Sequence, residues 1–157
     1  MTQITNSCLV LLQHRDSMTE LIARPELLDT AVEEMLRFVP IGHAGLPFAV
    51  GEDLEFAGVR MRKGDLVLLS KLSANRDDTV FDRPDEFDIA RQPNPHIGFS
   101  HGPHHCLGAA LARMELRVAI GALLRGLPGL RLAVDVEDLA WRAGSIQRGP
   151  VGLPIAW

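Results

Sequence analysis

The sequence predicts a mainly α-helical α+β fold with small β-sheets, and three observations carry that expectation. Apolar residues recur at helical spacing in three segments, near 4–13, 28–38 and 107–124. From Val50 onward the pattern changes to short alternating stretches separated by turn residues. Between them, residues 75–95 are rich in Asp, Arg and Pro and show no clear period.

Taken in order, residues 4–13 read as the end portion of a helix, with Cys8, Leu9, Leu11 and Leu12 apolar. A short second helix follows Asp16-Ser17, carries Met18, Leu21 and Ile22, and ends near Arg24-Pro25. The third starts at Pro25 or Leu28 and runs to Phe38, with Ala31, Val32, Met35 and Leu36 as its stripe. Pro40 and Gly42 stop it. Leu54 and Phe56, then Val59 and Met61, alternate around Gly58 as a half-buried hairpin would. Lys63-Gly64-Asp65 is a turn, and Leu66-Val67-Leu68-Leu69 reads as a buried strand. The aperiodic stretch at 75–95 is an ordered meander or loop; connections this long in a compact domain are usually functional. A long helix from about Leu107 to Leu124 is ended by Gly126 and Pro128. Alternation at Leu130, Leu132, Val134 and Val136 gives a strand, and Val151, Leu153 and Ile155 a closing one.

With 157 residues, 46% hydrophobic, 23% charged and a net charge of −4, the chain has the composition of a soluble globular protein of about one domain. Mild acidity without basic runs argues against nucleic-acid binding. No apolar run approaches the roughly 20 residues that span a bilayer, and residues 1–6 lack the basic stretch that opens a secretory signal. Two cysteines with no framework spacing fit a reducing cytoplasm.

Chemistry concentrates in Phe99-Ser100-His101-Gly102-Pro103-His104-His105-Cys106-Leu107-Gly108. Here one cysteine sits in a glycine-rich turn just before the long helix. A thiol at a helix N-terminus faces unpaired amides and the positive end of the macrodipole, and both favour the metal-ligating thiolate. Gly102 and Gly108 leave room for a large flat group, since neither carries a Cβ, and Phe99 offers an aromatic face beside the sulfur. Two other readings of these residues stand: a buried apolar cysteine, and a zinc site drawing on His101, His104, His105 and Cys106, which would lack the usual second ligand pair.

The spacing Phe-x-x-Gly-x-x-x-Cys-x-Gly resembles the haem-binding loop of cytochromes P450. Two further motifs share that resemblance. Glu34 and Arg37 share a helix face, as any surface ion pair would, and their segment is similar to the family's Glu-x-x-Arg helix. Phe87-Asp88-Ile89-Ala90-Arg91 looks like the bacterial form of the segment that adds a second arginine, which makes Arg91 the third member of a structural triad; Glu86 stands where other members carry that arginine. Ala74-Asn75-Arg76-Asp77 is similar to the segment before the family's meander, and reads equally as a polar turn.

The resemblance covers essentially the whole chain. It implies an incomplete domain over 1–157: the C-terminal haem-binding portion of a soluble, actinomycete-like P450, lacking the N-terminal helices and most of the distal helix with its Ala-Gly-x-x-Thr segment. By resemblance, Cys106 is the axial ligand to the iron of haem b and the catalytic residue. Phe99, Gly102, His104, Gly108 and His96 then line the cofactor. Related sequences carry Leu-Pro-Arg where this chain has Leu46-Pro47-Phe48, and that arginine binds a haem propionate. His104 occupies another propionate position, with His96 and His101 as further contributors. The implied reaction is monooxygenation of a small organic substrate, with residues 41–46 and 145–148 lining its cavity. Electrons would come from a ferredoxin- or flavin-type partner docking near Arg113, Arg117 and Arg125, although a solvated helix face explains these arginines equally. The alternative is a truncated, inactive haem-binding remnant or interaction module. Exposed core surface on the partial domain predicts self-association, or a missing N-terminal half supplied by another chain.

Overall fold

The computed structural model describes residues 2–42 and 47–157. Three helices open the chain: α1 (Thr2–Gln13), α2 (Arg15–Ala23) and, after a 3-10 turn at Pro25–Leu27, α3 (Leu28–Phe38). Pro25 stands at the start of that turn, where a missing amide proton costs nothing. The strands β1 (Phe48–Ala49), β2 (Leu54–Phe56), β3 (Val59–Met61) and β4 (Leu66–Val67) follow. They form two antiparallel ribbons, β1 with β4 and β2 with β3. A single turn, α4 (Lys71–Ala74), leads into the meander. The long α5 (Ala109–Gly126) then precedes a third ribbon of β5 (Arg131–Leu132) and β6 (Ile155–Ala156).

The core lies where α1, α2, α3 and α5 meet. Val10, Leu11, Met18, Ala31, Met35, Ile120 and Leu124 are buried there together. A second cluster joins Val32 and Leu36 of α3 to Leu116 of α5, with Phe99 packed against it. The meander has no periodic stripe, yet it contributes Phe81, Phe87 and Ile89 to the interior. Phe87 and Phe38 meet edge to face, 5.3 Å between centroids.

Several sequence expectations change. The hairpin and the segment after it are not buried: Phe56 is 70% and Leu66 72% exposed. Leu66-Val67-Leu68-Leu69 yields a two-residue strand, and the alternation at 130–136 yields β5 and a 3-10 turn at Val136–Asp138. In the first two places the reason is the same, whereas Leu130, Leu132 and Ile155 of the third pack against the core. A two-stranded ribbon has no neighbouring layer of its own to cover its apolar face. The sequence reading did not anticipate α4, whose Ser70 cap accepts the Ser73 amide at 3.2 Å.

Candidate functional site

The triad expectation concerns the α3–meander junction. Arg37 Nε and Nη2 donate to the two carboxylate oxygens of Glu34 at 2.7 and 2.8 Å, a bidentate pair with both side chains fully buried. Arg91 Nε lies 3.2 and 3.3 Å from the same oxygens and is 7% exposed. Glu34 also accepts the Asp88 amide at 2.9 Å and Asn94 Nδ2 at 3.1 Å. Burial alone would push the Glu34 pKa up. The hydrogen bonds from Arg37 and the Asp88 amide, with the charges of both arginines, hold it below the usual carboxylate range instead.

Both guanidiniums also organise the meander backbone. Arg37 donates to the carbonyls of Asn75, Pro84 and Glu86 at 2.7, 2.8 and 3.0 Å. Arg91 donates to those of Asp82, Arg83 and Glu86. A segment without ladder or helix must satisfy its buried carbonyls some other way, and these two side chains do it. The Glu86 side chain points elsewhere, to exposed Arg83 at 2.7 Å.

From this junction the structure reaches the cysteine loop through residues whose role the sequence left unassigned. Asn75 is fully buried; its Nδ2 donates to the Arg37 carbonyl at 3.2 Å and its Oδ1 accepts the Ile97 amide at 2.9 Å. Gly98 runs so close to α3 that a Cβ would lie 2.7 Å from the Leu36 carbonyl oxygen. The Ala74-Asn75-Arg76-Asp77 match was the only signal for Asn75, while Asn94 and Glu33 carried none.

The loop itself turns sharply. Ser100 and Gly102 have φ of +66° and +74°, and the Ser100 amide donates to the Ile97 carbonyl at 2.8 Å. The Cys106 amide donates to the Phe99 carbonyl at 2.9 Å, so the aromatic residue and the thiol are fixed to one another. The Cys106 carbonyl receives the Ala109 amide at 3.2 Å, two residues past the Leu107 start that periodicity suggested for this helix. Cys106 is exposed and free of any disulfide. It opens onto a groove of about 490 Å³ lined also by Leu36, Gly98, Phe99, His104, Gly108 and Leu111. A Cβ at Gly102 would meet nothing within 4 Å, and one at Gly108 only the Cys106 Sγ at 3.9 Å, so the floor beside the sulfur is clear. No three His, Cys, Asp or Glu among the described residues come together to hold a metal ion, so the clustered histidines do not converge on Cys106.

Behind Phe99 lies a second ionic network. The Arg113 guanidinium sits 4.7 Å from the Phe99 ring centroid. Its Nε and Nη2 donate to Glu33 at 2.7 and 2.9 Å. Glu33 Oε2 is 3.0 Å from His96 Nε2, and His96 Nδ1 accepts the Gly98 amide at 3.1 Å. An accepting Nδ1 puts the imidazole proton on Nε2, which donates to Glu33. Burial would raise the Glu33 pKa, but its hydrogen bonds to His96 and Arg113 bring it down to about 2. Both ring nitrogens of His96 have partners within the protein. Arg113 is tied to Glu33 rather than presented as a free docking charge. Arg117 pairs with exposed Asp29 at 3.0 Å.

The two expected cavity segments come together in part: Gly42 bridges Gln147, and the Arg148 amide donates to the Ile41 carbonyl at 3.0 Å. The remainder of the first segment, residues 43–46, lies outside the described residues.

An exposed thiol, a clear glycine floor, an aromatic neighbour and apolar walls fit a large flat group held through sulfur, the arrangement of P450-type haem proteins. The chain belongs to the cytochrome P450 family: the family model for Cytochrome P450 matches residues 7–127. It is 50% identical to nocardicin C N-oxygenase of Nocardia uniformis, across 99% of this chain and 39% of that protein. It is 45% identical to mycinamicin IV hydroxylase/epoxidase of Micromonospora griseorubida, across 99% and 40%. Among solved structures, the LnmA cytochrome P450 hydroxylase of Streptomyces atroolivaceus superposes with a TM-score of 0.92 at 52% identity, covering 99% of this chain and 40% of that one. The chain thus spans about 40% of the length of these relatives. Family membership implies haem b as the cofactor.

Proposed function

We propose that residues 1–157 form the C-terminal haem-binding portion of a P450 monooxygenase, with Cys106 as the axial thiolate ligand. The observation that carries this reading is the exposed Cys106 thiol at the mouth of an apolar groove, on a loop clamped to α3 through Asn75 and Gly98. Phe99, Gly102, His104 and Gly108 would hold the porphyrin: Phe99 against one face, the glycines by leaving space, His104 at an acidic edge. When bound, the iron porphyrin supplies dioxygen activation, with one oxygen atom entering a small organic substrate and the other leaving as water. The sulfur of Cys106 would push electron density toward the iron. The Glu34–Arg37–Arg91 triad would keep the loop in register beneath it. Electrons would come from a ferredoxin- or flavin-type partner, and the two free cysteines favour a cytoplasmic setting. No helix among the described residues is long and apolar enough to cross a membrane.

A second reading, a haem-binding portion without turnover of its own, is favoured by the apolar side chains this chain leaves uncovered near the cysteine. Leu107 is fully exposed, and Leu111 and Met114 are about half exposed. The deciding measurement is the absorption spectrum of the chain loaded with hemin, reduced and treated with carbon monoxide. A Soret band of the thiolate-ligated type in the unsubstituted chain, lost in Cys106→Ala, is the expected result. The same band in Cys106→Ala would overturn the ligand assignment, and added reductase with a surrogate substrate separates the two readings.

A further inference from the structure

We propose that Lys71 supplies the cation that recognises an acidic edge of the bound porphyrin, in place of the arginine that this chain lacks at Phe48. The inference rests on the haem reading of the groove. Phe48 lies in β1 opposite Val67 of β4, is 46% exposed, and brings no charge. Four residues beyond Val67 the chain reaches Lys71, the first residue of α4. The ribbon that places Phe48 therefore also delivers Lys71.

Lys71 lines the same groove as Cys106, His104 and Gly108. Its position relative to the cysteine loop is fixed through the backbone. The Lys71 carbonyl accepts the Asn75 amide at 2.9 Å, and the Asn75 side chain in turn holds the Ile97 amide at 2.9 Å. Lys71 is half-buried, and no hydrogen bond or ion pair engages its ammonium among the described residues. The other titratable side chains of the groove, besides the thiol, are His104 and Glu115, and Glu115 stands exposed on α5 without an ion pair to Lys71. A groove-lining ammonium without a counter-charge is free to pair with an incoming carboxylate. Being a compact point charge on a flexible stem, it reaches a single carboxylate without the fork geometry that arginine requires. His96 is committed to Glu33 and Gly98, which leaves Lys71 and His104 as the groove's basic groups.

The test is spectroscopic titration of the full apo chain with ferric protoporphyrin IX and, separately, with its dimethyl ester, whose edge carries no charge. Lys71→Gln is expected to weaken binding of the free acid about tenfold and leave ester binding unchanged, while Lys71→Arg restores the free acid to within about twofold. Equal losses for both porphyrins, or no loss for the free acid, would overturn the role of Lys71. Circular dichroism of the apo variants, expected to match the unsubstituted chain, keeps misfolding apart from lost recognition. If the unsubstituted chain binds neither porphyrin, the haem reading itself falls and Lys71 with it.

Discussion

Two regions of this molecule invert the usual distribution of side chains. At the α3–meander junction, three charged residues are buried, two of them completely. Along the ribbons and the outer face of α5, large apolar residues lie open, Phe56 and Leu66 among them. Buried charge survives only where every partner is present, and at this junction the carboxylate oxygens and both guanidiniums are satisfied. A contiguous exposed apolar face is one that a further surface can cover. The junction is therefore satisfied within these residues, whereas the β1–β4 and β2–β3 ribbons carry their large apolar residues in the open.

The comparison breaks most visibly at Glu34. Replacing it with Gln leaves two buried guanidiniums sharing a neutral partner, and truncating one member of such a set costs about 3–5 kcal/mol. Glu34→Gln is expected to lower the unfolding free energy by about that amount, seen as a lower urea midpoint, with loss of hemin binding following. A variant as stable as the original would mean that the arginines are held by the meander carbonyls alone. Arg91→Ala should fall in the same range, because its guanidinium also closes three of those carbonyls.

How much of this was legible beforehand differs between the two regions for a physical reason. The helices could be read because their apolar stripes repeat at the pitch of a helix that buries one face. Arg91 could be singled out in a segment without periodicity only through its resemblance to a family motif. The ribbons misled because alternation reports which face is apolar and carries no information about whether a partner layer is present. Glu33 and Asn94 gave no signal, since each is one polar residue whose partners lie 60 or more positions away. The His96–Glu33 contact gave no signal for the same reason: Glu33 sits on α3, 63 residues back.

Acid sharpens the contrast on the junction side. Glu33 has its pKa lowered to about 2 and Glu34 is lowered as well. A carboxylate with a depressed folded-state pKa contributes stability that is complete above its unfolded value, roughly 4.3. That contribution drains away as pH falls toward the folded value. The urea midpoint of the unsubstituted chain should hold down to about pH 5 and then fall steeply toward pH 2.5. Glu33→Gln is expected to start lower and fall less steeply over that window, the change moderated by the partial exposure of the Glu33–Arg113 pair. Parallel curves for the two proteins would show that the Glu33 network contributes nothing to acid sensitivity.

The smallest effect on stability is expected on the outer face of α5, where it separates the two regions most clearly. Met114 and Val118 fall four residues apart, so they share a helix face, and each is more than half exposed. Replacing Met114 and Val118 with Gln removes no buried contact, so the unfolding free energy should change by less than about 0.5 kcal/mol per site. Association should respond far more, because a stripe of this spacing on one copy can pack against the same stripe on another. Sedimentation of the unsubstituted apo chain is expected to show species heavier than 17.2 kDa, and the double substitution should return it toward the monomer. If sedimentation is unchanged while the unfolding free energy drops by several kcal/mol, α5 would be supporting the internal core through that face, and the division between a satisfied junction and an uncovered exterior would have to be redrawn along the helix itself.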